Sequence, residues 1–278
     1  MQLARYRDGN RVAWGFVLGD DVRAAPAGPI GLVEALGLSP QALDELLASA
    51  DHATPLSEVE LLPPISQPSK LVCVGLNYRE HAKESGFALP AEPLIFAKFP
   101  SSATGANGDV ILPPESSQVD WEAELAVVIG RHAEGVEVSD ALDYVGGYCV
   151  ANDVSARDVQ VKDGQWVRAK SFTTFCPIGP WVTTRDSVDI AAGLDIQLSI
   201  NGEVMQHGNT SDLIFDVPSI VSYCSFISAL LPGDIILTGT PAGTGVGMNP
   251  QRFLVAGDSM STSIEGLGSL SNTVTRRI

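Results

Sequence analysis

The sequence predicts a strand-rich α+β fold, and three observations carry that expectation. Residues 119–129 alternate at the strand period of two, with Trp121, Ala123, Leu125, Val127 and Ile129 forming an unbroken apolar face. Ile196, Leu198 and Ile200 alternate in the same way up to Asn201-Gly202, a dipeptide suited to a two-residue hairpin turn. Short apolar runs at 70–75, 94–100, 144–153 and 234–238 end in polar or glycine-containing segments, while helical periodicity is confined to a few stretches. The chain has 278 residues, of which 45% are hydrophobic and 18% charged, enough for a large ordered core.

Taken in order, residues 1–25 read as a small antiparallel meander punctuated by Asp8-Gly9-Asn10 and Gly19-Asp20-Asp21. Residues 31–50 read as helical, with Ser39 as an N-cap before Pro40 at the first helical position. Pro55, Pro63, Pro64 and Pro68 make 54–69 an extended connector. The expected division is therefore a small N-terminal α/β domain with its connector at 1–66 and a larger domain at 67–278. The strand 70–75 then runs into a segment in which His81 and Glu84, three residues apart, share a helix face. Such a pair is a general base with its orienting carboxylate, or else part of an exposed helix of mixed charge that includes Glu80 and Lys83. Strand 94–100 carries Lys98 in an apolar run, and strand 144–153 ends in Asn152 and Asp153. Asp153 or Ser155 is a candidate cap for the helix that follows. Residues 166–175 hold Arg168, Lys170, Ser171 and Thr173 among aromatic residues, and Asp216 caps a helix expected over 218–230.

The formal net charge of −16 argues against nucleic acid or an anionic membrane as the main partner. Cys73, Cys149, Cys176 and Cys224 form no Cys-x-x-Cys pair and sit among apolar neighbours, the pattern of buried thiols in a reducing compartment. The opening residues carry no apolar signal core and no run reaches the length of a membrane span, so a cytoplasmic location is expected. The glycine-rich stretch 239–247 lacks the Gly-Lys-Ser/Thr ending of a phosphate loop, which leaves a tight turn or close approach of backbone to a small ligand. His-Glu-x-x-His and Gly-x-Ser-x-Gly are both absent, which removes zinc and serine hydrolases of those types.

The chemistry concentrates in the even positions of 119–129, where Asp120, Glu122 and Glu124 share one face at the strand's mouth. Same-face neighbours lie about 6–7 Å apart along a strand, and at an effective dielectric near 20 they repel by on the order of 2 kcal/mol per pair. Solvent, basic partners, raised pKa values or a cation must offset that. A wet strand end satisfies the requirement as well as a metal does. Adding Asp153 gives an oxygen-only donor set without histidine or cysteine, which suits a hard cation, Mg²⁺ or Mn²⁺, acting as Lewis acid on a 2-oxo acid. His81 with Glu84 would then move a proton or activate water, and Lys170 would add positive charge nearby.

At these residues the chain resembles the fumarylacetoacetate hydrolase superfamily. The resemblance lies in the run from Val74 through His81 to Glu84 and in Asp120-Trp121-Glu122-Ala123-Glu124-Leu125. It continues through Asn152-Asp153 to Arg157 and Gln160, Lys170-Ser171-Phe172, Asn201-Gly202-Glu203 and Leu237-Thr238-Gly239-Thr240-Pro241, so that it covers about 70–274 in consistent order. The resemblance implies a mixed β-roll catalytic domain, a homodimer or higher assembly, and Mg²⁺ or Mn²⁺ on Glu122, Glu124 and Asp153. It further implies a His81–Glu84 water-activating pair on a mobile lid and Lys170 at the oxyanion or enolate. Arg157, Gln160 and Thr240 would contact a small anionic 2-oxo acid, with Lys98 also on the substrate side. Asp120 has no counterpart among the family's ligands and is expected to be a neighbour. The carboxylate partner of the histidine is local, as in the shorter acylpyruvase-like members. The expected activity is cleavage of a C–C bond in a β-diketo acid with release of a 2-oxo acid such as pyruvate. Oxaloacetate-type decarboxylation or 2-hydroxy-dienedioate keto–enol isomerisation would use the same site. The competing class is a metabolite-binding protein without turnover.

Overall fold

The computed structural model describes residues 1–84, 86 and 88–276. Its centre is the strand Ala123–Ile129, whose seven residues are all buried. It pairs antiparallel with Val145–Asn152 on one side and with Ile235–Leu237 on the other. Ile235–Leu237 runs parallel to Leu71–Gly75, which pairs with Leu94–Lys98. In the opposite direction, Val145–Asn152 is followed by Cys176–Thr184.

The two faces of the central strand explain why its second half is apolar throughout. Leu125, Val127 and Ile129 pack into one cluster with Ile196, Leu198, Ile200, Met260, Ile264 and Leu270. These partners come from a second, five-stranded sheet built on the hairpin Asp195–Ile200 and Glu203–Asn209, together with Ser259–Ile264, Gly268–Arg276 and Val110–Leu112. Asn201 and Gly202 both take positive φ (52° and 83°), the backbone that a two-residue turn of this hand requires. Ala126 and Val128 face the other way, into a cluster with Leu32, Leu36 and Leu43 from the N-terminal helices. The main sheet therefore lies between a second sheet and a helical layer, a strand-rich α+β arrangement as expected.

The N-terminal meander forms as Gln2–Asp8, Arg11–Leu18 and Asp21–Ala24, but it does not stand apart. Gln2–Asp8 pairs with Cys176–Thr184, so the meander extends the main sheet, and Leu3 and Phe16 belong to the same cluster as Ala126 and Cys149. Within the connector, Glu60–Leu61 adds to Gln2–Asp8. A boundary at 66/67 thus divides chain segments that share one sheet and one core.

Local expectations are met in several places and altered in others. The helical stretch 31–50 is two helices, Leu32–Ala35 and Pro40–Ala48, and Ser39 Oγ accepts from Ala42 N at 3.3 Å as the cap of the second. Asp216 caps Val217–Ile227 by accepting from Ser219 N at 3.0 Å. The helix after Asp153 begins only at Arg157, with Ala156 as its N-cap, so neither Asp153 nor Ser155 caps it. The strand expected over 119–129 breaks. Val119–Asp120 pairs with Ser155–Ala156 in a separate ribbon, and Trp121 and Glu122 leave the ladder. Glu122 N donates to the Asn152 side chain at 3.0 Å and Glu122 O accepts from Asp153 N at 2.8 Å, so the interrupted backbone stays hydrogen-bonded. No described helix is long and apolar enough to cross a membrane.

A carboxylate cluster facing a histidine–glutamate pair

The register Ala123↔Asn152 places the start of the central strand beside the end of its neighbour. Glu122, Glu124 and Asp153 consequently converge, each offering a carboxylate oxygen, with these oxygens all within 4.8 Å of one another. Their exposures of 6%, 2% and 0% rule out the wet strand end.

Three cations compensate most of this charge. Lys170, on the short helix Val167–Lys170, donates to Glu122 Oε2 at 2.5 Å and to Asp153 Oδ2 at 2.8 Å. Arg157 donates through Nη2 to Glu122 Oε1 at 2.5 Å and through Nε to Asp120 Oδ1 at 2.6 Å. Lys98 donates to Asp153 Oδ1 at 2.5 Å and to Val154 O at 3.3 Å. Counting Asp120, four carboxylates meet three cations, and the excess falls on Glu124. Among the described residues its carboxylate forms no salt bridge, and it accepts from Gly239 N at 2.7 Å. Burial first, then the charges of Asp153 and Glu122, push the Glu124 carboxyl well above its ordinary range. Burial acts the same way on Glu122, but Arg157 and Lys170 outweigh it and hold that carboxyl far below the usual range. Burial also opposes the charge on Lys170, yet Asp153 and Glu122 more than reverse this and raise its pKa.

Above the cluster opens a cavity of about 700 Å³. Glu122, Glu124, Lys170, Arg157, Gln160, Thr240, His81 and Glu84 all reach its wall. His81 and Glu84 sit on the helix Arg79–Glu84, with His81 Nδ1 3.2 Å from Glu84 Oε2. That helix is tied down at its start, since Arg79 Nη1 donates to the Asp212 and Leu213 carbonyls and Glu80 N donates to Asp212 Oδ2. The remaining wall is apolar, with Leu76, Leu94, Phe96, Val161 and Trp166. Phe96 and Trp166 meet edge to face at 5.1 Å, and Lys170 Nζ stands 5.2 Å from the Phe96 ring centre.

One expectation needs correction. Lys98 is not on the cavity wall but lies fully buried behind Asp153, as its charge partner rather than a substrate contact. Within the glycine-rich stretch, Gly239 and Gly247 reach the cavity wall, whereas Gly243 and Gly245 pack against protein. A Cβ on Gly243 would meet Met205 O at 2.0 Å, and one on Gly245 would meet Arg252 O at 2.1 Å. Gln206 went unnoticed in the sequence because a polar residue within a hairpin strand reads as its solvent side. It is fully buried, accepts from Ala123 N at 2.9 Å and donates to Thr240 Oγ1 at 2.8 Å, joining the strand start to the cavity wall.

Residues 70–275 match the family model of the fumarylacetoacetate (FAA) hydrolase C-terminal domain. The chain belongs to the fumarylacetoacetate hydrolase family. A mitochondrial oxaloacetate tautomerase of Homo sapiens is 46% identical over 230 residues, covering 82% of this chain and 73% of the human protein. Among solved structures, 2-hydroxyhepta-2,4-diene-1,7-dioate isomerase from Mycobacterium marinum superposes with a TM-score of 0.82 at 40% identity, covering 100% of this chain and 99% of the other. Maleylpyruvate hydrolase from Sphingobium sp. SYK-6, in complex with manganese(II) and pyruvate, gives a TM-score of 0.82 at 31% identity with both chains covered in full. These family members are a tautomerase, an isomerase and a hydrolase. The human protein is named as mitochondrial, a compartment different from the cytoplasmic one expected from the sequence.

The cluster fits a hard divalent cation such as the manganese(II) in the complex of maleylpyruvate hydrolase. Its donors are three carboxylates, one of which is buried without a cationic partner among the described residues, so a cation there would favour the charged form of Glu124.

Proposed function

We propose that this chain is a divalent-metal-dependent enzyme that interconverts the keto and enol forms of a small 2-oxo acid of the oxaloacetate type. The observation that carries the reading is the disposition of one cavity, with Glu122 and Glu124 of the carboxylate cluster and the His81–Glu84 pair all on its wall. Glu122, Glu124 and Asp153 would hold Mg²⁺ or Mn²⁺, which when bound supplies Lewis acidity towards the 2-oxo carboxylate. Glu84 faces His81 Nδ1, which leaves Nε2 to take the proton from C3 and return it. Lys170 places an ammonium beside Glu122, where it would favour negative charge on the substrate oxygen. Arg157, Gln160 and Thr240 would orient the carboxylate end, and the aromatic wall of Phe96 and Trp166 would keep water from the reacting carbons. The human tautomerase and the mycobacterial isomerase support this choice.

Hydrolytic cleavage of a β-diketo acid is the second reading, favoured by the same pair as activator of water and by the likeness to maleylpyruvate hydrolase. A panel of enol-oxaloacetate, oxaloacetate and an acylpyruvate separates them, with enol loss followed by absorbance and with pyruvate and CO₂ release measured alongside. The tautomerase reading expects enol loss without stoichiometric pyruvate, abolished by chelation and restored by Mg²⁺ or Mn²⁺. Pyruvate formed from the acylpyruvate at a comparable rate would transfer the assignment to the hydrolase, and CO₂ from oxaloacetate would transfer it to the decarboxylase. His81→Ala is expected to lower the rate by about 10²–10⁴ while leaving cation affinity in place. Glu122→Gln that keeps both metal dependence and rate would sink the metal assignment.

A further inference from the structure

Asp120, Trp121 and residues 243–247 of the glycine-rich loop hold neither cation nor substrate in the reading above, yet they meet one another. Where the chain leaves the ladder between Val119–Asp120 and Ala123–Ile129, Asp120 and Trp121 both turn to the loop. Asp120 Oδ2 accepts from Val246 N at 2.9 Å, while its other oxygen holds Arg157. Trp121 is fully buried and its Nε1 donates to Gly243 O at 3.1 Å. The opposite side of the loop grips Glu84. Gly243 N donates to Glu84 Oε1 at 3.0 Å, and a Cβ on Gly247 would lie 2.6 Å from Glu84 Cδ. The remaining oxygen of Glu84 is the one that faces His81.

We infer that Asp120 and Trp121 are positioning residues which, through the loop 243–247, hold the Glu84 carboxylate in the orientation that partners His81, with Gly247 as its seat. The inference rests on the reading of His81–Glu84 as the proton-transfer pair. The physical basis is directional. Glu84 is on a helix only six residues long, and its side chain is 21% exposed, so its own element does not fix its rotamer. A backbone N–H from a loop that is itself hydrogen-bonded at two points to the carboxylate-bearing strand supplies that constraint. One segment thereby sets both the cation-binding carboxylates and the base that must act opposite them.

The test compares Trp121→Phe, Gly247→Ala, Glu84→Ala and the two double variants with Glu84→Ala, all as metal-loaded full-length enzyme. kcat and KM for keto–enol conversion of oxaloacetate are measured together with Mn²⁺ affinity by calorimetry. Trp121→Phe keeps one aromatic ring but removes the N–H together with the pyrrole part of the indole, which leaves a cavity at this fully buried site, so Gly247→Ala is the cleaner of the two. Gly247 is not in the left-handed region, so alanine there strains no backbone and acts by pushing on Glu84. Each is expected to lower kcat about tenfold, the size of one lost orienting hydrogen bond, with KM and Mn²⁺ affinity within about twofold. In the Glu84→Ala background neither should lower kcat further, because the carboxylate they seat is gone and the Cβ at 247 has room. Losses that multiply in the double variants, or that appear in KM or Mn²⁺ affinity, overturn the positioning role and leave the proton-transfer pair standing. A Glu84→Ala enzyme with unchanged kcat overturns the pair and the positioning role together. Should Trp121→Phe not fold, Gly247→Ala with its Glu84→Ala partner decides alone.

Discussion

Glu124 keeps its proton to a pH at which an unfolded chain has released it, because burial and the adjacent Asp153 and Glu122 penalise its charge. An unfolded glutamate titrates near ~4.3. Above that value the folded, ion-free protein binds more protons than the unfolded chain, so its stability falls as pH rises towards the elevated pKa of Glu124. Glu122 acts in the opposite sense, since its depressed folded pKa contributes stability above ~4.3 that is lost as pH falls further. A divalent cation would replace the proton on Glu124. Two outcomes are expected, that cation binding releases protons and that the rise in melting temperature caused by Mg²⁺ grows with pH. Calorimetry in buffers of different ionisation enthalpy and thermal unfolding between pH 5 and 8 check them, and binding without proton release contradicts the protonated state of Glu124. At this scale the three carboxylates, the histidine pair and Lys170 were legible in the sequence because their types and spacing are chemically specific. The role of Lys98 was not, since a lysine inside an apolar run shows neither which partner it meets nor on which side of Asp153 it lies.

Among the elements, the helix Val217–Ile227 illustrates a feature that local chemistry decides. Asp216 caps it and Pro218 stands in its first turn, as the sequence alone implies. Replacing Asp216 by alanine should cost about 1 kcal/mol in urea unfolding, with kcat unchanged, because the helix contributes no residue to the cavity wall. The central strand is the contrary case. Periodicity runs through 119–129 without interruption, yet the strand breaks at Trp121 and Glu122, where the side chains of Asn152 and Gln206 satisfy backbone groups that a ladder would otherwise satisfy. Those partners are 30 and 83 residues away in the chain, beyond the reach of any local pattern. Leu125→Ala, fully buried between the sheets, is expected to cost about 2–5 kcal/mol, read as a lowered denaturation midpoint.

For the molecule as a whole, the shared sheet matters more than the proline-rich connector. Removing residues 1–66 would bare the edge of Cys176–Thr184 and uncover Ala126, Val128 and Cys149, which Leu3, Phe16, Leu32 and Leu43 now cover. A chain of 67–278 is therefore expected to aggregate or fail to fold cooperatively, and a soluble fragment with a cooperative melting transition would show that the larger segment is autonomous. Assembly as a homodimer, implied by the family resemblance, is a proposal for light scattering to decide.

The sequence by itself determined the strand-rich class, the hairpin at Asn201-Gly202, the capped helices and the identity of the cluster residues, because each rests on local periodicity, backbone preference or side-chain chemistry. Tertiary structure decided which charges are paired. It buried Lys98 behind Asp153, left Glu124 as the carboxylate without a cationic partner among the described residues, and turned Asp120 and Trp121 towards the loop that seats Glu84. Electrostatic balance and hydrogen-bond satisfaction depend on neighbours brought together from distant parts of the chain, and those distances exist only once the sheets have packed.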